Sequence, residues 1–211
     1  MQVRNVLIAD DHPLTREGLG LAVRAALPGV GVDNAGTIEE AEAAIARRGG
    51  YRMVLLDLVL PDARGFSGFL RLQHVLGHTP IVIVTGHRDA MLVEAAVALG
   101  ASGYLLKSSS IDELSVAIRK IASGITIFPQ SAQPDPSIVQ ARDRLSTLSG
   151  AQTRVLVAMA DGRNNKQIAG DLDITEATVK AHLTAIFRKL GVTNRTQALL
   201  AMQPLLGDTA P

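Results

Sequence analysis

Five short apolar runs recur through the first 124 residues, and a stretch with helical spacing of apolar residues follows each of them. The runs are short and nearly continuous in hydrophobicity, as is typical of buried strands in a parallel sheet. They cover residues 3–9, 30–35, 53–60, 81–84 and 103–106. The alternation predicts an α/β domain, with a five-stranded, doubly wound parallel sheet and helices on both faces.

The pattern after residue 145 contains helical spacing only. Ser149 is placed to cap a first helix, Asn165 a short helix over 166–171, and Thr175 a longer helix that ends before Gly191. A last helix follows Asn194. A short helix, a tight turn and a longer helix form a helix-turn-helix, so a small all-α domain is expected over residues 145–211.

The segment 125–144 separates these two patterns, and we assign it as a linker between domains 1–124 and 145–211. Residues 130–136 are rich in Pro, Gln and Ser, which predicts a mobile turn, and 137–144 has the pattern of a short helix. The alternative is one long surface loop within a single domain, but loops of this length are uncommon.

Composition narrows the class of protein. Hydrophobic residues make up 47% and charged residues 19%, which indicates a globular chain, and the lack of cysteine excludes disulfides and thiolate metal sites. Residues 1–124 hold 12 Lys+Arg against 13 Asp+Glu, whereas residues 145–211 hold 7 against 5. This small asymmetry points towards nucleic acid at the C-terminal domain. The N-terminus does not resemble a signal peptide and no run could span a bilayer, so a cytoplasmic location without membrane contact is expected.

Charged and polar residues stand where the predicted strands end. In a parallel sheet those carboxyl ends share one edge, which would gather Asp10, Asp11, Asp57, Thr85 and Lys107. Carboxylates held together repel unless a cation is present, and Mg²⁺ with its oxygen ligands is the natural one. Asp57 could then act as a nucleophile towards a phosphoryl group, with Lys107 and Thr85 stabilising its oxygens.

These residues occur in motifs that resemble the receiver domain of two-component response regulators, a flavodoxin-like fold. The motifs are Ile8-Ala9-Asp10-Asp11-His12-Pro13, Asp57-Leu-Val-Leu-Pro61 with Gly65, Val84-Thr85-Gly86 and Gly103-Tyr104-Leu-Leu-Lys107. The resemblance implies that Asp57 is the phosphoacceptor. It also implies an Mg²⁺ site formed by Asp10, Asp11, Asp57 and the backbone carbonyl of Val59, with Thr85 and Lys107 as phosphoryl partners.

Tyr104 has two interpretations. It could be an aromatic residue that packs in a strand. The resemblance favours a switch, in which Thr85 moves towards the phosphoryl group and Tyr104 rotates into the space behind it. His87 could border the phosphoryl group or be an exposed loop residue. Many receivers have proline after the lysine, where this chain has Ser108.

The second domain resembles the LuxR-type helix-turn-helix, and the two domains together resemble the NarL/FixJ subfamily of response regulators. The motifs include Asn165-Lys166-Gln167-Ile168-Ala169, 174–182, 189–192 and 194–198. The resemblance implies that the longer helix enters the major groove of DNA. Base edges would be faced by Lys180, Ala181 and Thr184, and phosphates by Lys166, Arg188 and Lys189. Without the resemblance, a solvated basic face is the simpler interpretation. Ala151-Gln152 departs from the common pattern, which could alter the first helix.

The combination predicts a transcriptional response regulator and not an enzyme. A sensor histidine kinase would phosphorylate Asp57, and the protein would bind double-stranded DNA, as a homodimer when phosphorylated or DNA-bound. The sequence leaves two alternatives open. One is a phosphate sink or protein-interaction module without promoter output. The other is an enzyme on a doubly wound fold, but the first strand is followed by Asp-Asp-His-Pro and not by a Gly-rich phosphate loop.

Overall fold

Five parallel strands form the central sheet in the order β2-β1-β3-β4-β5. In the computed structural model, which describes residues 5–129 and 135–206, the strands are β1 (Val6–Ala9), β2 (Val32–Ala35), β3 (Met53–Leu56), β4 (Ile81–Thr85) and β5 (Gly103–Leu106). The register pairs Ala9 with Leu56 and Thr85 with Leu106, so that the strands end at one edge. The predicted doubly wound sheet is confirmed.

Helices cover both faces of the sheet. They are α1 (Pro13–Ala26), α2 (Ile38–Arg48), α3 (Ser67–Leu76), α4 (Ala90–Ala98) and α5 (Ile111–Ala122). α1 and α5 bury one face, where Val6 and Ile8 point, while α2, α3 and α4 bury the opposite face, which receives Leu7 and Ala9. This alternation of neighbours along β1 is the two-residue period of a strand that is covered on both sides.

Side-chain caps fix where three helices of the α/β domain begin, namely α2, α4 and α5. Ser110 and Glu113 form a reciprocal capping pair at the start of α5. At α2, Thr37 accepts a hydrogen bond from the Glu40 N–H, but Glu40 itself accepts from the Gly36 N–H at 2.6 Å and not from Thr37. The side chain of Glu40 therefore stabilises the loop before the helix, while Thr37 caps the first turn.

Four helices form the helical domain: α7 (Gly150–Ala160), α8 (Asn165–Asp171), α9 (Glu176–Leu190) and α10 (Arg195–Leu206). The helix-turn-helix consists of α8 and α9, joined by a turn in which Asp173 has φ 52°. The cap predicted at Asn165 is wrong, because the N-cap residue of α8 is Asn164. Asn164 and Gln167 are three residues apart and bond reciprocally at 2.8 and 3.0 Å, a spacing that Asn165 cannot provide with Gln167.

The linker contains a packed helix, α6 (Pro136–Ser146), with Asp135 as its N-cap. The helix expected at 137–144 is therefore present and slightly longer, and it crosses residue 145. Ile138 and Ala141 are each 1% exposed, and α6 packs against α4 of the α/β domain and α10 of the helical domain. Most of the predicted mobile turn, residues 130–134, lies outside the described residues.

The two domains thus share one continuous apolar core, which passes from the α2–α4 face of the sheet through α6 to α10. Within the described part of the chain, every helix is too short or too polar to cross a membrane.

Candidate functional site

The carboxyl edge of the sheet brings the predicted polar residues together. Parallel pairing continues one step past the strands, since the Asp57 N–H donates to Ala9 O at 2.8 Å and the Lys107 N–H donates to Thr85 O at 2.9 Å. The backbone ladder therefore fixes where Asp57 and Lys107 begin to project from the edge. This local geometry follows from strand register alone, which is why the sequence could predict it.

Lys107 joins the two buried carboxylates of this edge. Its Nζ lies 2.6 Å from Asp57 Oδ2 and 2.7 Å from Asp10 Oδ2, and the two aspartates are 4% and 1% exposed. Burial raises the pKa of Asp57, although the hydrogen bond from Lys107 and a backbone hydrogen bond at Val59 act in the opposite direction. Burial alone would lower the pKa of Lys107, but its contacts with Asp10 and Asp57 raise it overall. The site therefore holds a charged lysine between two acids.

The same acids fit a divalent cation. Ligand atoms of Asp10, Asp11, His12 and Asp57 all lie within 4.8 Å of one another. Asp10 Oδ2 is buried and, although Lys107 is close, it receives no hydrogen bond of good geometry from any described residue. A buried carboxylate oxygen without a full partner is what a bound hard cation would satisfy. His12 Nδ1 is 2.6 Å from Asp11 Oδ1.

Thr85, His87 and Tyr104 form a connected group beside the acids. Thr85 is fully buried, and its hydroxyl lies 3.2 Å from His87 Nδ1 and accepts a hydrogen bond from the His87 N–H. The hydroxyl of Tyr104 donates to His87 O at 2.9 Å, and burial of the phenol raises its pKa to about 12. Tyr104 lies inward and His87 is half-buried, so the loop between β4 and α4 is held from two sides.

The predicted DNA-facing side of α9 is open to solvent. Exposed residues on or near it are Lys166, Lys180, Ala181, Thr184, Arg188 and Lys189. One of them has another partner: Lys189 Nζ donates to Thr147 O at 2.8 Å and to Gln152 Oε1 at 2.9 Å. Gln152, which departs from the common motif, also completes the cap of α7 with Ser149. It therefore ties α9 to the start of α7.

The α/β domain contacts the helical domain and the linker through two acids that sequence reasoning missed. Asp161, at the end of α7, accepts a hydrogen bond from the Ser67 side chain of α3, and burial raises the pKa of the Asp161 carboxyl although Ser67 and Arg71 oppose this. Glu94 of α4 is 8% exposed and accepts from the Asp135 N–H at 2.7 Å. The sequence did hold one signal, because Glu94 is the only charged residue of an otherwise apolar helix.

Two family models match this chain. Residues 6–119 match the response regulator receiver domain, and residues 146–202 match the bacterial regulatory proteins of the luxR family. The first match covers the whole carboxyl edge described above, and the second contains α8 and α9.

Characterised relatives align along almost the whole chain. The glycerol metabolism activator of Pseudomonas putida is 35% identical over 212 residues, covering 93% of each chain. The nitrate/nitrite response regulator protein NarP of Escherichia coli is 34% identical over 204 residues, covering 92% of each. Among solved structures, RcsB of Salmonella typhimurium has a TM-score of 0.54 at 22% identity, with 95% of this chain and 99% of that one covered, which shows a shared fold.

Proposed function

The chain belongs to the NarL/FixJ subfamily of response regulators, with a receiver domain and a LuxR-type DNA-binding domain, and from this we propose that Asp57 is its phosphoacceptor. Its relatives are transcriptional regulators and the chain is one as well. The residues of the sheet edge and of α9 would then divide the steps of that function between them.

Asp57 would accept the phosphoryl group from a phosphohistidine of a sensor histidine kinase. A carboxylate oxygen attacks phosphorus, and the new P–O bond forms as the P–N bond breaks. The histidine, whose other ring nitrogen carries a proton, leaves as neutral imidazole with the electron pair of the P–N bond. Lys107 already contacts Asp57 at 2.6 Å and can turn to a phosphoryl oxygen, while Thr85 can donate its hydroxyl. A fixed cation costs little reorganisation when charge develops nearby, so Lys107 contributes to the rate as well as to binding.

Asp10, Asp11, Asp57 and the Val59 carbonyl would hold the Mg²⁺ ion. When bound, it neutralises charge on the phosphoryl oxygens and on the clustered carboxylates. The buried Asp10 oxygen that lacks a hydrogen bond supports this assignment.

Two connections lead from the site towards the DNA-binding domain. Thr85 contacts His87, whose carbonyl is held by Tyr104, and the loop that contains them leads into α4 and so to Glu94 and the linker helix. The loop after Asp57 leads into α3, where Ser67 bonds to Asp161 of α7. Movement of Thr85 towards a phosphoryl group, with Tyr104 following it, would change the first connection directly.

The output would be DNA binding by α9, with Lys180, Ala181 and Thr184 towards base edges and Lys166 and Arg188 towards phosphates. Lys189 would reach a phosphate only after leaving Thr147 and Gln152. Because paired half-sites suit a two-fold dimer, a homodimer on DNA is proposed. The protein would meet both its kinase and its target promoter in the cytoplasm.

The observation that carries the proposal is the convergence of Lys107, Asp57 and Asp10 at the sheet edge of a chain that also exposes α9. The test is sequencing of bound DNA with and without a phosphoryl mimic, for the wild type and for Asp57→Asn. We expect the mimic to increase site-specific binding of the wild type only. Binding that ignores both changes would rule out control through Asp57, and a wild type that takes up phosphate but binds no DNA would be a phosphate sink.

A further inference from the structure

At the entry to α1 the Asp10 side chain is anchored, since its Oδ1 accepts a hydrogen bond from the His12 N–H at 2.8 Å, whereas among the described residues Asp11 pairs only with His12. His12 is the N-cap residue of α1, yet its side chain makes no cap hydrogen bond. The carboxylate of Asp11 is 38% exposed and pairs with a histidine whose side chain is 64% exposed. An exposed pair of this kind contributes little to order, so the direction of Asp11 has to be set by the backbone.

Arg16 of α1 supplies that support. Its Nη1 donates a hydrogen bond to Asp10 O at 2.6 Å, and its backbone N–H donates to His12 O at 3.1 Å. Asp10 O belongs to the peptide group that joins Asp10 to Asp11. A charge-assisted hydrogen bond to this oxygen therefore fixes the plane of the peptide that ends at the Asp11 Cα. The direction in which the Asp11 side chain projects follows from that plane.

The guanidinium also lies between two loops of the sheet edge. A Cβ atom placed on Gly36 would be 3.8 Å from Arg16 Nη1, so the loop after β2 lies next to the guanidinium. On the N-terminal side of Asp10, its backbone N–H donates a hydrogen bond to Ala35 O at 3.0 Å. Strand pairing thus fixes the amide of Asp10, and Arg16 fixes its carbonyl.

We propose that Arg16 is a positioning residue for the acidic pocket: by holding the Asp10–Asp11 peptide it orients Asp11 as a ligand for the divalent cation. The inference rests on the proposed function for the role of the cation in phosphorylation, but the positioning itself concerns metal binding. The side chain of Arg16 bonds to the backbone of Asp10 and not to the carboxylate of Asp57, so it would act through the loop.

The experiment titrates Mg²⁺ into the full chain by calorimetry for the wild type, Arg16→Met, Arg16→Lys and Arg24→Met. Arg24 is the matched control, an exposed arginine on the same helix. We expect Arg16→Met to raise the Mg²⁺ dissociation constant about five- to tenfold, the effect of losing one charge-assisted hydrogen bond. Arg16→Lys retains a cationic donor and should stay within about twofold of the wild type, like Arg24→Met.

A second readout separates positioning from a general structural defect. Phosphorylation by a small phosphoryl donor, followed against Mg²⁺ concentration, should need about five- to tenfold more Mg²⁺ for half-saturation in Arg16→Met. The rate at saturating Mg²⁺ should be nearly unchanged, since the excess ion selects the correct loop orientation. Without any metal, amide exchange of Asp11 and His12 should be faster in Arg16→Met.

Unchanged Mg²⁺ affinity in a folded Arg16→Met variant would overturn the inference, as would an equal loss in Arg24→Met or no rescue by lysine. If Arg16→Met does not fold, Arg16→Gln is judged by the same criteria. Failure of the proposed function looks different: the wild type would then bind Mg²⁺ but take no phosphoryl group on Asp57, while the Arg16 effect on the metal would persist.

Discussion

Lys107 contacts Asp57 at 2.6 Å, and yet the pKa of Asp57 is raised, because the carboxylate is almost completely removed from water. One cation shared with Asp10 does not replace the lost hydration. In the absence of a metal the fold therefore opposes the ionised form of Asp57. The same imbalance favours a divalent cation or a phosphoryl group that recruits Lys107.

The first prediction is that Asp57→Asn stabilises the metal-free protein at neutral pH. A pKa raised in the folded state gives stability that is complete below the unfolded value of about 3.9 and is lost as pH rises through the folded pKa. Asparagine stays neutral at every pH, so the variant should keep at neutral pH the stability that the wild type loses there. Its melting temperature should then exceed that of the wild type by about 2–4 °C for each kcal/mol gained. Thermal melts in EDTA across pH 4–8 measure the difference, which should shrink in acid. The exposed Asp143→Asn is the control, and equal melting of wild type and Asp57→Asn at all pH values would contradict the prediction.

The second prediction separates the two roles of Tyr104. Tyr104→Phe removes only the hydrogen bond to His87 O and should lower the free energy of unfolding by about 1 kcal/mol. Tyr104→Ala also leaves a cavity under the loop and should cost about 3–5 kcal/mol. Urea denaturation measures both values. Equal losses in the two variants would show that the hydrogen bond, and not the ring, supports the β4–α4 loop.

The third prediction concerns the carboxylate between the domains. Asp161 has one buried oxygen without a hydrogen bond from any described residue, and burial raises its pKa against the influence of Ser67, Arg71 and Arg163. Asp161→Asn removes the buried charge and should strengthen docking, slowing amide exchange across α3 and α7 about fivefold or more. Ser67→Ala removes a donor and should do the opposite.

The pH dependence of docking gives this prediction a sign. In the wild type, docking should tighten as pH falls through the raised pKa of Asp161, whereas Asp161→Asn should show no such change. Asp171→Asn, within the helical domain and paired with Arg163, controls for a general effect of removing an acid. Faster exchange in Asp161→Asn than in the wild type would mean that the charge supports docking.

The fourth prediction compares two lysines of α9. Lys180→Ala should weaken binding to the specific site by about 1–3 kcal/mol and relax the base preference at the position that Lys180 faces, with little change in the slope of log affinity against log salt or in stability. Lys189 is engaged by Thr147 and Gln152, so Lys189→Ala should instead lower the free energy of unfolding by about 0.5–1.5 kcal/mol. Fluorescence anisotropy with labelled duplex DNA and urea denaturation distinguish the two. A Lys180 variant that keeps its sequence preference but loses about 1 unit of salt slope would place Lys180 at a phosphate and not at a base edge.

The sequence could predict what short-range rules determine. Strand period places Asp57 at a strand end, and a capping residue before a helical pattern places the start of α7 at Ser149, because each depends on neighbours along the chain. The error at Asn164 is of the same kind: two adjacent asparagines could each cap, and only the position of Gln167 distinguishes them.

Features that could not be predicted depend on residues far apart in the chain. Asp161 is stabilised by Ser67, 94 positions earlier, and Glu94 by the backbone of Asp135. No periodicity encodes how two domains dock. The sequence predicts the linker helix itself, but not its packing against α4 and α10. Arg16 was missed for a simpler reason: an arginine on an amphipathic helix has no local feature that distinguishes a clamp on a carbonyl from a solvated charge.

The core that passes through α6 also links the two ends of the protein thermodynamically. If phosphorylation of Asp57 favours the arrangement that binds DNA, then the coupling between phosphorylation and DNA binding has to be reciprocal. Bound DNA must raise the equilibrium constant for phosphorylation by the same factor by which phosphorylation raises DNA affinity. An occupied promoter would then act as an effector of the receiver domain, holding the signal on the molecules that are already in use.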